Sequence, residues 1–495
     1  MLFICKKIDY INIFTVQKGD LILEKYDKSV LDGKKHIHFI GIGGSGMYPL
    51  AQILHSKGYN LSGSDNNETD TLAAVRAMGI PVFLGQKAEN IEGADLIVHT
   101  AAIMADNPEL IAAKASGVPV LERSDLLAII TAQFGNTVCV SGTHGKTTTS
   151  SMITQILKKK GIDITAVIGG KLPLIHGSGI AGKSDIMVCE ACEFMDHFLK
   201  LSSDVSVILN VDADHLDYFG SLENVIKSFH TFAEQTSRAV IVNGSDENSM
   251  KAVSGLENKC EIITFGRDQS CDYYPENIRH ISGLETAFDL MHKGEKLGEI
   301  TIHVPGEHNV LNAVAAAAAS IYEGATAEDV RIGLSDFHGS QRRFEKYGEV
   351  GGVTVVDDYG HHPAEIEVTL KAAKGLGYKR VWAVHQPFTF SRTAMLTDDF
   401  AKALSIADKV VLTSIMGSRE KNTYGIHTST LGEKIDGAKW FDEEEHDRNF
   451  ELCAEYVAEN AEEGDLVVTL GCGDVNKLAR LILKKLEEKE QKNER

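Results

Sequence analysis

The sequence predicts an α/β protein of three domains built on parallel sheets, and three observations carry that prediction. The chain has 495 residues, and at about 150 residues per domain that length provides for three cores. From His36 onward, short β-rich runs alternate with helix-length amphipathic segments, the pattern of parallel strands covered on both faces. Three of the junctions carry glycine-led turns of the kind that hold phosphates or nucleotides.

Buried strands are read at 36–40, 94–100, 136–140, 185–190, 204–210 and 238–243, then at 353–357, 380–385, 409–414 and 465–470. The stretch 261–304 differs: several short strands follow one another with no helix between them, as in a small antiparallel insert. Residues 1–35 read as an irregular lead-in with one strand-like patch at 11–16, and 484–495 as a charged, fraying helix end. Boundaries fall near 131–135 and 338–341, which gives domains at 36–132, 133–338 and 339–495.

Lys and Arg number 50 against 70 Asp and Glu, a net charge of −20. That balance argues against a general nucleic-acid binder or a polybasic membrane adherent, but not against small anions held by local N–H groups. No apolar run approaches the roughly 18 residues of a membrane span, and the first residues lack the order of a signal peptide. Eight cysteines are too few for a disulfide framework, so Cys189 and Cys192 read as bystander thiols and the compartment as cytoplasmic.

The first glycine turn is Gly41-Ile-Gly43-Gly44-Ser45-Gly46, between a strand and a helix. Glycines let the backbone approach a pyrophosphate, and the helix N-terminus supplies donors. Asp65, about 20 residues on at the end of another strand, offers a carboxylate to a ribose or base. This pattern says diphosphate more forcefully than it says which nucleotide, and NAD is the default from spacing alone. The second turn, Ser141-Gly142-Thr143-His144-Gly145-Lys146-Thr147-Thr148, is a shortened phosphate loop. Lys146 is placed on the β/γ oxygens and Thr147 on Mg²⁺. Glu190, with Glu193 three residues on, and the segment Asn210-Val-Asp212-Ala-Asp214-His215 end neighbouring strands and are candidate Mg²⁺ partners. The third signal is His308-Asn309-x-x-Asn312 opening an Ala-rich helix, where the amides either cap the helix or face a purine.

With these motifs in order, the chain resembles the Mur ligase family from about His36 to its end: HFIGIGGSGM, SGTHGKTTT, NVDADHLDYFG, VPGEHNVLNA, GSQRRFEKYG, DDYGHHPAEI and QPFTFSRT. The resemblance implies a Rossmann-like UDP-binding first domain, a central P-loop ATPase-like domain and a Rossmann-like third domain closing over the cleft. It implies that ATP energises the lactyl carboxylate of UDP-N-acetylmuramate as an acyl phosphate, which L-alanine then attacks, in peptidoglycan precursor synthesis. UDP-N-acetylmuramate, L-alanine and ATP with Mg²⁺ are the implied partners, with no nucleic acid, no membrane and a monomer or weak homodimer.

Carried over by position, Gly43, Gly44, Ser45 and Gly46 hold the UDP diphosphate and Asp65 faces the nucleoside. Gly142 to Thr148 cradle the ATP phosphates; Thr147, Glu190 and His215 set Mg²⁺; His308, Asn309 and Asn312 meet adenine. Arg343 reaches the γ-phosphate from the third domain, Asp358 the ATP ribose, and Tyr359, His361 and Arg392 face the sugar carboxylate and the incoming amino acid. The chain departs from the family where Cys192 replaces an Asp and Phe388 replaces a His. A carbamylated lysine, which some family members use for Mg²⁺, is not assigned, because its comparable position falls at His230, with Lys227 nearby. A tripeptide-adding ligase of the same family, an NAD-dependent dehydrogenase and, given Cys192 and Phe388, a catalytically idle nucleotide-binding regulator are the rival readings.

Overall fold

The computed structural model describes residues 28–493 apart from 102, 283, 419 and 444–445. The strand-like patch at 11–16 and the rest of 1–27 lie outside the described residues. Of the lead-in, Lys28–Leu31 forms a 3₁₀ turn, and Leu31 is buried in the core it shares with Ile37 and Phe39.

The first sheet contains β1 (His36–Ile40), β2 (Asn60–Asp65), β3 (Val82–Leu84), β4 (Leu96–His99) and β5 (Val120–Glu122), all parallel in the order β3-β2-β1-β4-β5. β1 reads HIHFI and is buried over its last four residues, because helices cover both faces of a parallel sheet. The order reverses between β1 and β4, so a crevice opens beyond the carboxyl end of β1, where the first glycine turn begins.

The second sheet has ten strands: β6 (Asn136–Ser141), β7 (Thr165–Leu172), β8 (Gly177–Ile180), β9 (Ile186–Glu190), β10 (Val205–Ile208), β11 (Ala239–Asn243), β12 (Glu261–Phe265), β13 (Tyr273–Ser282), β14 (Glu285–His292) and β15 (Glu295–Ile302). The order is β15-β14-β13-β12-β11-β10-β6-β9-β7-β8, with β6 between β9 and β10. The expected small insert at 261–304 is corrected here. β12 pairs in parallel with β11, and β13 to β15, eight to ten residues each, continue the same sheet as an antiparallel edge. A second antiparallel pair, β7 with β8, closes the other edge. Helices Lys146–Lys159 and Glu307–Tyr322 share one core on this sheet, and the buried run Ala315–Ala319 keeps their approach close.

The third sheet joins β16 (Glu345–Val350), β17 (Val353–Asp358), β18 (Arg380–His385), β19 (Lys409–Leu412), β20 (Lys439–Trp440) and β21 (Asp465–Leu470) in the order β16-β17-β21-β18-β19-β20. All neighbours are parallel except β16 with β17. Trp382 is buried at its centre and donates from Nε1 to Asp465 Oδ2 at 3.0 Å, so its one polar atom is satisfied. The loops after β17, β18 and β21 therefore emerge side by side; Tyr359 and His361 follow β17, and Arg392 follows β18.

Candidate active site

Three helices begin beside cavities with no side-chain cap: Tyr48–Ser56 after Met47, Lys146–Lys159 after Gly145, and Glu307–Tyr322 after Gly306. Elsewhere Thr69, Asn107, Ser221, Asp246 and Thr326 cap their helices with side-chain oxygens. An uncapped first turn keeps N–H donors and positive dipole for an anion.

The first cavity, about 1110 Å³, is lined by Gly43, Gly44, Ser45, Gly46 and Asp65, and reaches Gly169, Glu190 and Cys192 of the second domain. Asp65 is committed to the turn itself: Oδ2 accepts from Gly43 N at 3.0 Å and Oδ1 from Asn66 N at 2.8 Å. A Cβ on Gly46 would stand 2.9 Å from Arg123 Cδ. Arg123 thus brings a guanidinium to the glycine turn, a residue that no local pattern in the sequence signals.

The second cavity, about 260 Å³, lies between the second and third domains. Its floor is the phosphate loop. Gly142 (φ +135°) and Gly145 (φ +89°) take conformations that a side chain resists, and a Cβ on Gly145 would meet Asn312 Oδ1 at 2.6 Å. The strand end after β10 pins this loop. Asn210 Oδ1 accepts from His144 N at 2.8 Å, its Nδ2 donates to His144 O at 3.0 Å, and Asp212 N donates to Thr143 Oγ1 at 2.9 Å. Lys146 Nζ donates to Gly142 O at 2.6 Å and to Thr143 O at 3.1 Å, and pairs with Glu193. Burial works against the Lys146 ammonium, but Glu193, Cys192 and Glu190 nearby outweigh it and raise its pKa above the ordinary value.

Thr147 Oγ1 donates to Glu190 Oε2 at 2.8 Å, and Gly169 N donates to the same oxygen at 2.9 Å. Glu190 lines both cavities, so the two spaces meet at its carboxylate. A hydroxyl and a carboxylate are oxygen ligands suited to a hard divalent cation, with water completing the shell. Among the described residues no three His, Cys, Asp or Glu side chains converge as a metal cluster. His215 lines neither cavity; its ring packs 4.8 Å from that of Phe194, and its Nε2 lies 3.9 Å from Asp214 Oδ2. His230 bonds through Nδ1 to Ala252 O at 2.9 Å.

Thr148, His308, Asn309 and Asn312 complete the second domain's wall. Burial, with His144 beside it, brings the His308 pKa down to about 4 and keeps the ring neutral. Asn309 closes the helix start through Nδ2 to Pro305 O at 2.7 Å, and Asn312 Nδ2 donates to Asn309 Oδ1 at 3.0 Å. From the third domain come Arg343, Asp358 and Glu365. Asp358 accepts from Phe344 N at 2.9 Å and Gly360 N at 2.8 Å, and burial raises its pKa.

Tyr359, His361 and Arg392 line neither cavity. The Tyr359 and His361 rings lie 5.5 Å apart edge to face, and Arg343 stands 5.5 Å over Tyr359. His361 Nδ1 is 3.3 Å from Glu365 Oε2. Burial lowers the His361 pKa, Glu365 opposes that, and Arg392 reinforces it. Arg392 Nη1 is buried without a hydrogen-bond partner. Phe388 sits on the loop after β18, bridged to Met416. Cys189 and Cys192 do not act as a pair: Cys189 Sγ is 3.4 Å from Cys139 Sγ inside the sheet, whereas Cys192 lines the first cavity.

The profile of the Mur ligase family catalytic domain matches residues 36–135, that of the Mur ligase middle domain 140–320, and that of the Mur ligase glutamate ligase domain 342–473. A UDP-N-acetylmuramate–L-alanine ligase of Agathobacter rectalis is 44% identical over 457 residues, covering 91% of this chain and 98% of the relative. One from Acetivibrio thermocellus is 42% identical over 465 residues, covering 92% and 97%. The crystal structure of UDP-N-acetylmuramate–alanine ligase MurC from Thermotoga maritima superposes with a TM-score of 0.76 at 28% identity, over 92% of this chain and 100% of that one. A murein peptide ligase from Psychrobacter arcticus shares the fold at 23% identity and a TM-score of 0.68, covering 91% and 98%. Three consecutive domain profiles and relatives matched over nine-tenths of their length carry one conclusion: the chain belongs to the Mur ligase family.

Proposed function

We infer that the chain joins L-alanine to the lactyl carboxylate of UDP-N-acetylmuramate at the expense of ATP, in peptidoglycan precursor synthesis. The observation that carries this reading is Glu190, bonded to the phosphate-loop Thr147 and lining both cavities. A triphosphate in the smaller cavity and a sugar-borne acid in the larger one would meet there. The activity of the curated relatives supports the choice of acid and amine.

A carboxylate does not acylate an amine directly, because oxide would have to leave. The lactyl oxygen attacks the γ-phosphorus of ATP and the bond to the β-bridging oxygen breaks, giving an acyl phosphate and ADP. The alanine nitrogen then adds to the acyl carbon, phosphate leaves, and the nitrogen gives up a proton to form the amide. No protein nucleophile is required; the chain positions the reactants and neutralises charge. Lys146 is placed for the β/γ oxygens, and Arg343 approaches the same cavity from the third domain. A divalent cation, Mg²⁺ in this reading, would be held by Thr147 and Glu190, with water completing its shell because His215 lies outside both cavities, and would supply further neutralisation when bound. Gly43 to Gly46 with Arg123 serve the UDP diphosphate, and neutral His308 with Asn309 and Asn312 serves adenine. Tyr359, His361 and Arg392 are assigned to the reacting carboxylate and amino acid, and Asp358 to the ATP ribose. The domain limits in this reading are 36–132, 133–338 and 339–495. Among the described residues no helix is long and apolar enough to cross a membrane, and ATP and UDP-sugar substrates fit the cytoplasm.

The test is phosphate release from ATP with each acceptor alone and with both. Release that requires UDP-N-acetylmuramate and L-alanine together supports the reading. Release driven equally by the tripeptide in place of L-alanine would assign the chain to the tripeptide-adding branch. Lys146→Ala should abolish release while UDP-sugar binding stays intact.

A further inference from the structure

Glu193 has no place in the chemistry above, yet it makes the closest ionic contact of Lys146. Both are buried: the Glu193 side chain is 3% exposed and that of Lys146 14%. Glu193 Oε1 accepts from Nζ at 3.1 Å. Oε2 lies 3.0 Å from the same nitrogen, yet it is buried and has no hydrogen-bond partner. The segment carrying Glu193 is held in place, because Asp196 N donates to Glu193 O at 2.9 Å and Phe198 N to Cys192 O at 3.0 Å. Asp196 is fixed in turn by the Tyr218 hydroxyl at 2.7 Å.

An ammonium has three donors, and Lys146 spends all three on Gly142 O, Thr143 O and Glu193. A phosphate oxygen can gain one only by replacing an acceptor. The two carbonyls belong to the loop backbone, which Asn210 and Asp212 pin from the next strand end. The carboxylate alone is a side chain that can swing away. We propose that Glu193 is a positioning residue acting as the displaceable counter-ion of Lys146, which an incoming nucleotide phosphate must replace. This rests on the reading of Lys146 as a phosphate ligand. The carboxylate keeps a buried cation paired and holds its ammonium at the loop. It also competes with the nucleotide, which lowers affinity and speeds the return of Lys146 when ADP leaves.

Calorimetric titration of the full chain with ADP tests this, with Mg²⁺ and with a chelator, at low salt and at about 0.5 M salt. Glu193→Gln should bind ADP about three-fold to thirty-fold more tightly, with and without Mg²⁺ and at both salt levels, and KM for ATP should fall while KM for the UDP-sugar stays. A purely structural Glu193 would loosen the loop and weaken binding instead. Unchanged or weaker binding overturns the proposal, as does tightening that vanishes with the chelator or at high salt. Glu193→Asp keeps the charge but withdraws it by one methylene, so it should tighten binding to an intermediate degree. If the amide variant does not fold, an Asp variant no tighter than wild type is itself an overturning result. Lys146→Ala separates the two readings. If it binds ADP as wild type does, the phosphate-ligand reading of Lys146 fails; if it binds weakly while Glu193→Gln is unchanged, only the counter-ion proposal fails.

Discussion

Arg342 and Arg343 adjoin in the chain and have opposite fates. Arg342 is tied into its own domain: Nε donates to buried Asp357 at 2.9 Å, Nη1 to Gly473 O at 2.7 Å, and Nη2 to Gly471 O. Both guanidinium groups lie over the Tyr359 ring, but Arg343 lines the second cavity instead. Removing one partner of a buried ion pair strands the other, at about 3 kcal/mol or more. Arg342→Ala should therefore lower the melting temperature by several degrees, read by calorimetry. Arg343→Ala should leave melting within a degree or two and cut coupled phosphate release about 100-fold, the scale of one lost charge-stabilising donor. Histidines add a pH dependence. His385 donates through Nδ1 to Leu470 O at 3.0 Å and leaves Nε2 buried and unpartnered, so burial brings its pKa down to about 4. The unfolded ring takes its proton near pH 6.5, the folded ring only near 4. The stability held by the neutral ring is thus whole above about pH 6.5 and is lost as pH falls towards 4, at about 1.4 kcal/mol per unit. Both tryptophans, Trp382 and Trp440, belong to the third sheet and report its unfolding. Urea melts followed by their fluorescence should lose stability from pH 6.5 to 5, and His385→Asn should flatten that slope.

At the scale of elements, strand ends decide the chemistry. β6 runs into the phosphate loop between β9, which ends on Glu190, and β10, which feeds Asn210 and Asp212 into the loop's hydrogen bonds. β7 contributes a bare glycine. A Cβ on Gly169 would fall 2.3 Å from Glu190 Oε2 and 2.7 Å from Thr147 Oγ1, so a methyl group there must displace the Glu190 carboxylate. Gly169→Ala should push Glu190 off Thr147. We expect coupled phosphate release to fall at least 100-fold and its Mg²⁺ requirement to rise, with melting changed little, measured by titrating Mg²⁺ in the release assay. Strands are legible in the sequence where they are continuous apolar runs, as in β6 and β9. The three-residue β3 and β5 lack that signal and are held by their neighbours in the sheet, whereas β2, NLSGSD, is read as a strand ending on Asp65. The residues at 261–304 did read as antiparallel strands, but nothing local shows that they extend the central sheet, because that depends on β12, the first of them, pairing in parallel with β11 outside the stretch.

At the scale of the molecule, the second cavity exists only because two domains share it. Ser340 Oγ donates to Ser151 Oγ at 2.8 Å and Gln341 N to Lys171 O at 2.9 Å, so the chain enters the third domain while still bonded to the second. A reactive acyl phosphate needs water kept away, and a wall supplied by a separate domain would achieve that if the domains close on the bound ligands. ADP with UDP-N-acetylmuramate should therefore slow amide exchange at 339–345 and 358–365 more than either alone, by hydrogen-exchange mass spectrometry; equal protection by ADP alone would count against closure by both ligands.

By itself the sequence determined the three α/β domains and the glycine turns, because these are written in contiguous residues whose backbone demands are local: glycines where φ is positive, a lysine and a threonine at a helix start, apolar runs for buried strands; the reaction class came from the order of whole motifs shared with a family. Only the tertiary structure decided that Asp65 braces its own turn, that Arg123 comes to the first glycine turn, that Arg342 is bonded into its own domain while Arg343 lines the second cavity, and that Glu193 holds Lys146. Those choices depend on which side chains are carried together from distant strand ends, and on which donors and acceptors remain once burial has obliged every other polar group to find a partner.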